Sequence, residues 1–109
     1  VTHAYSTGFP SHPKFIQNVG YIISIGGINI YHAGDTFLVP EIENHRGIEV
    51  ALVPIDGGNL TMKTEDAASL VNQLKPKIAI PMHYKPDENK SIEFKGLINS
   101  DIDVIIIAE

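Results

Sequence analysis

Asp35, in the run His32-Ala33-Gly34-Asp35-Thr36, and His83, in Pro81-Met82-His83-Tyr84, are the residues of this chain best placed to do chemistry. Each follows an apolar, β-branched run, so each stands at the carboxyl end of an expected strand, where open α/β sheets gather functional groups. Taken singly, Asp35 fits an Asx-turn about as well as an active carboxylate, and His83 fits a hydrogen-bonded structural histidine better than a ligand. Their convergence on one sheet edge shifts the balance, because a carboxylate and an imidazole both suit a divalent metal. The chain has no cysteine and five histidines, so any metal must rest on His and carboxylate alone.

The composition narrows the partners. Eight Lys plus Arg against thirteen Asp plus Glu leave a formal charge of −5, without a basic cluster to neutralise phosphates, so nucleic acid is not an expected partner. Hydrophobic residues make up 43% of the sequence, enough to form a core, and no apolar run approaches the roughly 20 residues of a membrane span. A soluble, cytoplasmic protein is the expectation. The first residue is Val rather than Met, from which the expectation is that something upstream has been removed.

The elements that must position Asp35 and His83 follow from periodicity. Residues 1–18 hold Gly8, Pro10 and Pro13 and read as loop, whereas 19–25 and 28–32 are strand-like runs joined by Gly26-Gly27, a hairpin signal. A short helix is expected over 39–44, with Pro40 in its first turn and Thr36 either capping it or orienting Asp35. Residues 50–55 read as a buried strand stopped by Gly57-Gly58. Thr64 is the expected cap of a helix whose Ala67, Ala68, Leu70, Val71 and Leu74 form one apolar face, closed by Pro76. A strand over 78–82, a helix over 91–98 and a last buried strand over 104–108 complete the series. Three buried strands alternating with helices, led by a hairpin, predict an α/β fold with a mixed sheet and helices on one face. So few helices leave the other face apolar, so a second layer is missing or supplied elsewhere.

The ordered motifs Ile30-Tyr31-His32-Ala33-Gly34-Asp35-Thr36, Val50-Ala51-Leu52-Val53-Pro54-Ile55, Thr61-Met62, Glu65-Asp66-Ala67-Ala68 and Leu74-Lys75-Pro76-Lys77 through Ile80-Pro81-Met82-His83-Tyr84 resemble the second half of a metallo-β-lactamase-fold hydrolase. More narrowly, they resemble the branch of metal-dependent hydrolases that includes ascorbate-6-phosphate lactonase. The resemblance implies that residues 1–109 are the carboxyl-terminal half of such a domain, one half of an αββα sandwich. It assigns to Asp35 the bridging of two metal ions and to His83 the binding of one of them. By the same resemblance His3 is a candidate third ligand, and His12, in Ser-His-Pro-Lys, a candidate to face the pocket. Tyr84 is a candidate substrate contact, with packing as the commoner role of such a residue.

The family's leading signature, His-x-His-x-Asp-His, appears nowhere in these 109 residues. The implied activity is therefore that of an intact parent or complex: hydroxide activated by a dinuclear centre, zinc first with manganese or iron as alternatives, attacking an ester, lactone, amide or phosphoester of a small molecule. The implied partner is the amino-terminal half of the fold, in the same or another chain, and the uncovered sheet also allows homo-oligomers. Two other classes compete with an enzyme. A non-catalytic interaction subunit of the same fold would explain the missing ligands. A receiver-like signalling module would use Asp56 and Lys85, but it calls for an acidic pair after a first strand that this chain lacks.

Overall fold

The structure is a computed structural model that describes residues 2–3, 19–57, 61–85 and 89–107. Its elements in chain order are β1 (Thr2–His3), β2 (Val19–Ile25), β3 (Ile28–His32), α1 (Pro40–Glu43), β4 (Val50–Pro54), α2 (Thr64–Leu74), β5 (Ile78–Met82), α3 (Lys90–Leu97) and β6 (Asp103–Val104). The strands form a sheet in the spatial order β1 to β6, antiparallel from β1 to β3 and parallel from β3 to β6. This is the expected mixed sheet. Gly26 and Gly27 turn the hairpin at φ 57° and 82°, conformations that cost glycine little, and set Ile25 opposite Ile28.

Strand register sorts the residues onto two unlike faces. Tyr31, Ala51 and Ala79 are cross-strand neighbours on one face, with Val53 two residues beyond Ala51, and all four are fully buried. Helix α2 supplies Ala67, Leu70 and Val71 to the same core and α3 supplies Phe94, each at 0% exposure. Full burial of a side chain the size of Leu70 or Phe94 is worth about 1.5–3 kcal/mol, so this layer holds the fold together. The opposite face presents Tyr21, Ile23, Ile25 and Ile28 at 44–63% exposure, continued by the half-buried Ile30, Leu52 and Ile80. It is apolar and has no helix against it among the described residues, as the helix count predicted.

Several expectations are corrected. Thr64 is the first residue of α2 rather than its cap: Lys63 holds the cap position without a side-chain bond, and Thr64 Oγ1 donates to the Ile55 carbonyl at 3.3 Å, tying the helix start to the end of β4. Thr36 does not cap α1, whose cap is Val39, and its hydroxyl donates to the Phe37 carbonyl at 2.9 Å. Helix α2 ends at Leu74, before Pro76, with Lys75 in the left-handed region donating its N–H to the Val71 carbonyl. Helix α3 begins one residue earlier than expected. The last strand pairs only at Asp103 and Val104, with one further bond from Ile105 N–H to the Ala79 carbonyl, and Ile105, Ile106 and Ile107 are exposed. Its apolar sequence anticipates a covering layer, and the described residues supply none. Residues 2–3, expected within a loop, pair antiparallel with β2 instead.

Candidate metal centre

The chain leaves the sheet at Gly34. The Ala33 N–H donates to the Leu52 carbonyl at 3.0 Å as the last β3–β4 bond, and Gly34 then turns to φ 69° and delivers Asp35 beyond the edge. Strand β2 must lie close for this to happen. A Cβ on Gly20 would sit 2.7 Å and 2.8 Å from the carbonyl oxygens of Ala33 and His32, so only glycine fits there. At the end of β5, His83 is left-handed at φ 54°, a conformation that costs a non-glycine residue on the order of 1–3 kcal/mol and gathers at functional sites.

These two departures bring the predicted pair together. Strands lie about 4.8 Å apart, so the ends of β3 and β5, with β4 between them, are about 10 Å apart, too far for two side chains that continue straight strands. Bent as they are, His83 Nδ1–H donates to Asp35 Oδ1 at 2.7 Å across the end of β4. Both side chains keep more than a third of their surface exposed, at 39% and 37%, so the pair stands open at the rim. With Nδ1 committed to the carboxylate, the neutral ring carries its free lone pair on Nε2, and Asp35 keeps Oδ2. That donor set, a carboxylate oxygen and an oriented imidazole nitrogen, fits a divalent cation. It is incomplete: among the described residues no three His, Asp or Glu side chains gather as a metal cluster.

The other sequence candidates are placed as follows. His3 pairs with Val19, next to the Thr2–Gly20 pair, and Gly20 abuts Ala33; its backbone therefore sits at the same sheet edge as Asp35, two strands away. His12 lies outside the described residues. Tyr84 is half-buried and packs against the hydrophobic core. His45 stacks edge-on against Tyr31, with ring centroids 5.1 Å apart.

One contact had no sequence signal. Lys90, which opens α3, donates to the Asp56 carbonyl at 2.6 Å and to Asp56 Oδ1 at 3.0 Å, linking residues 34 apart in sequence. The end of β4 is thereby tied to the start of α3, one strand from the Asp35–His83 pair on either side.

Residues 2–83 match the model of the beta-lactamase superfamily domain. The chain belongs to the beta-lactamase superfamily. Its relatives in the superfamily include a metal-dependent hydrolase of Thermococcus kodakarensis, 42% identical over 95 residues that cover 81% of this chain and 42% of that protein. A metal-dependent hydrolase of Pyrococcus horikoshii is 39% identical over 110 residues, 94% of this chain and 45% of the relative. Among solved structures, a metallo hydrolase from Ignicoccus hospitalis superposes with a TM-score of 0.63 at 31% identity, over 95% of this chain and 46% of the other. A Bacillus subtilis metallo-β-lactamase-fold protein, only 10% identical, shares the fold with a TM-score of 0.71 over 98% of this chain and 44% of its own. The chain thus spans less than half the length of these relatives. Membership in the superfamily and the antiparallel opening of the sheet set aside the receiver-like alternative.

Proposed function

We propose that this chain contributes one side of the active centre of a metal-dependent hydrolase, and that the amino-terminal half of the fold, in the same or another chain, contributes the other. The observation that carries the proposal is the 2.7 Å contact between Asp35 and His83, which joins residues 48 apart in sequence at the strained end of β5. The names of its relatives support a divalent metal. Zinc is the first choice for a His and carboxylate set, with manganese or iron as alternatives, and two ions are expected in the completed centre.

In this proposal Asp35 offers its carboxylate as the shared ligand and His83 offers Nε2, held in that tautomer by the bond from Nδ1–H. His3 is the candidate to approach from the β1 edge, and His12 and Tyr84 are candidates to contact substrate. When bound, the ions supply Lewis acidity and acidify water to near neutrality. The rim position of the pair leaves room for an ester, lactone, amide or phosphoester of a small molecule. The apolar face formed by Tyr21, Ile23, Ile25 and Ile28 is where the amino-terminal half docks, and without that half a second copy of the chain competes for it. No helix among the described residues is long and apolar enough to cross a membrane. We place the protein in the cytoplasm, a proposal that cell fractionation checks.

The test is to purify the product of the whole reading frame, quantify bound metals and assay hydrolysis of a panel of esters, lactones and phosphodiesters with and without chelator. One or two divalent ions per chain, and turnover lost on chelation and in Asp35→Asn, are expected. A whole protein that binds no divalent metal overturns the proposal and leaves the non-catalytic interaction subunit in its place.

A further inference from the structure

His32 lies at the end of β3, half-buried, on the face opposite the helices, where its cross-strand neighbours are Tyr21 and Leu52. Its ring does not simply fill space there. Nδ1 accepts the N–H of Gly34 at 3.3 Å, from a residue two positions ahead. This is the first backbone donor after the ladder ends at Ala33, and the last before Asp35. An N–H released from a sheet must find a partner or water, and a side-chain acceptor two residues back is the arrangement by which Asx residues hold turns.

We infer that His32 is a positioning residue for Asp35. The turn that presents the carboxylate is held on three sides: by the Ala33–Leu52 ladder bond, by the backbone of Gly20 packed against the Ala33 and His32 carbonyls, and by the His32 ring drawing in the Gly34 N–H. Two of these restraints act before the residue that turns, and only the ring acts on Gly34 itself. Accepting through Nδ1 fixes the neutral ring as the Nε2–H tautomer. His32 and His83 are therefore opposite tautomers. His32 accepts through Nδ1 to aim Asp35, and His83 donates through Nδ1 to bind it. The inference rests on the proposed role of Asp35 only for its functional meaning, since the tautomer and the turn are properties of this chain without metal.

The test uses the 15N-labelled product of the whole reading frame, stripped of metal, and long-range imidazole correlation spectra, which read each ring's tautomer directly. Wild type is expected to show His32 as Nε2–H and His83 as Nδ1–H. His32→Phe keeps the ring shape and loses the acceptor: Gly34 amide exchange is expected to quicken about tenfold, the scale of one net hydrogen bond, and the His83 Nδ1 resonance to shift. His32→Asn restores an acceptor that reaches the i+2 N–H, and is expected to return both signals toward wild type. A His32 ring found as Nδ1–H overturns the inference, even if His32→Phe does not fold. So does a folded His32→Phe that loses thermal stability while the Gly34 and His83 signals stay unchanged, which is what a packing role alone would give. Failure of metal binding in the whole protein would remove the proposed function and leave these signals untouched.

Discussion

Two aspartates stand at the ends of neighbouring parallel strands, Asp35 beyond β3 and Asp56 beyond β4, and their partners make them different instruments. Asp56 takes an ammonium, through both its carboxylate and its own carbonyl, at 3.0 and 2.6 Å. A lysine ammonium has three donors and no lone pair, so that pairing adds a positive charge and no second ligand atom, and works as a clasp between β4 and α3. Asp35 takes an imidazole at 2.7 Å, which leaves a lone pair on Nε2 and a second carboxylate oxygen in a pair that stands more than a third exposed. The lesson is that a carboxylate at a strand end becomes a metal-site candidate through the residue it meets.

The sharpest way to break the comparison is at the imidazole. His83→Ala in the whole protein is expected to weaken metal binding by more than about 100-fold, beyond what loss of an outer-shell partner costs, as measured by metal titration. If affinity holds, Asp35 and Asp56 are equivalent after all. Lys90→Met should act on stability instead: loss of two partly exposed bonds to a charged group is expected to cost about 1 kcal/mol in chemical denaturation, with metal affinity within about twofold of wild type. A large loss of affinity in Lys90→Met would merge the clasp with the centre.

Tyr31 sharpens the contrast from the buried side, since its hydroxyl is sealed in the helix-covered core without a hydrogen-bond partner among the described residues. Burial pushes its pKa well above the usual 10. The folded state therefore disfavours the phenolate, and the stability tied to the neutral form is present below pH 10 and lost as pH rises above it, by at most about 1.4 kcal/mol per pH unit. Tyr31→Phe is expected to abolish that alkaline loss and to leave neutral-pH stability unchanged or about 1 kcal/mol higher. Denaturation curves at several alkaline pH values decide it. The smallest expected effect is at Lys75, left-handed at φ 54° like His83 but at a helix end with no functional claim. Lys75→Gly should stabilise the chain by up to about 1 kcal/mol with metal affinity untouched, whereas relieving the same strain at His83 removes the proposed ligand.

Much of the fold was legible along the chain. The hairpin 19–32, the strand 78–82 and the apolar face of α2 follow from alternation, a Gly-Gly turn and three-and-four spacing, which are local signals. Local caps were less readable. Thr64 has the side chain of a cap, yet its hydroxyl finds the Ile55 carbonyl because β4 ends beside it. The strand expected over 104–108 was overextended because isoleucine runs signal burial, whereas pairing beyond Val104 needs a neighbour and a covering layer.

By itself the sequence determined that Asp35 and His83 each follow a strand, because strand ends follow from periodic patterns, that they can converge where those strands run parallel in one sheet, and that one sheet face would stay apolar. Only the tertiary structure decided that the two side chains touch over the end of β4, that Lys90 occupies Asp56 and that His32 holds the turn before Asp35. The reason is physical. Periodicity sets where a residue falls along a strand to within a position or so, but a hydrogen bond forms or fails within a few tenths of an ångström. That margin is set here by two left-handed residues and by the close approach of Gly20, none of which leaves a pattern in the chain.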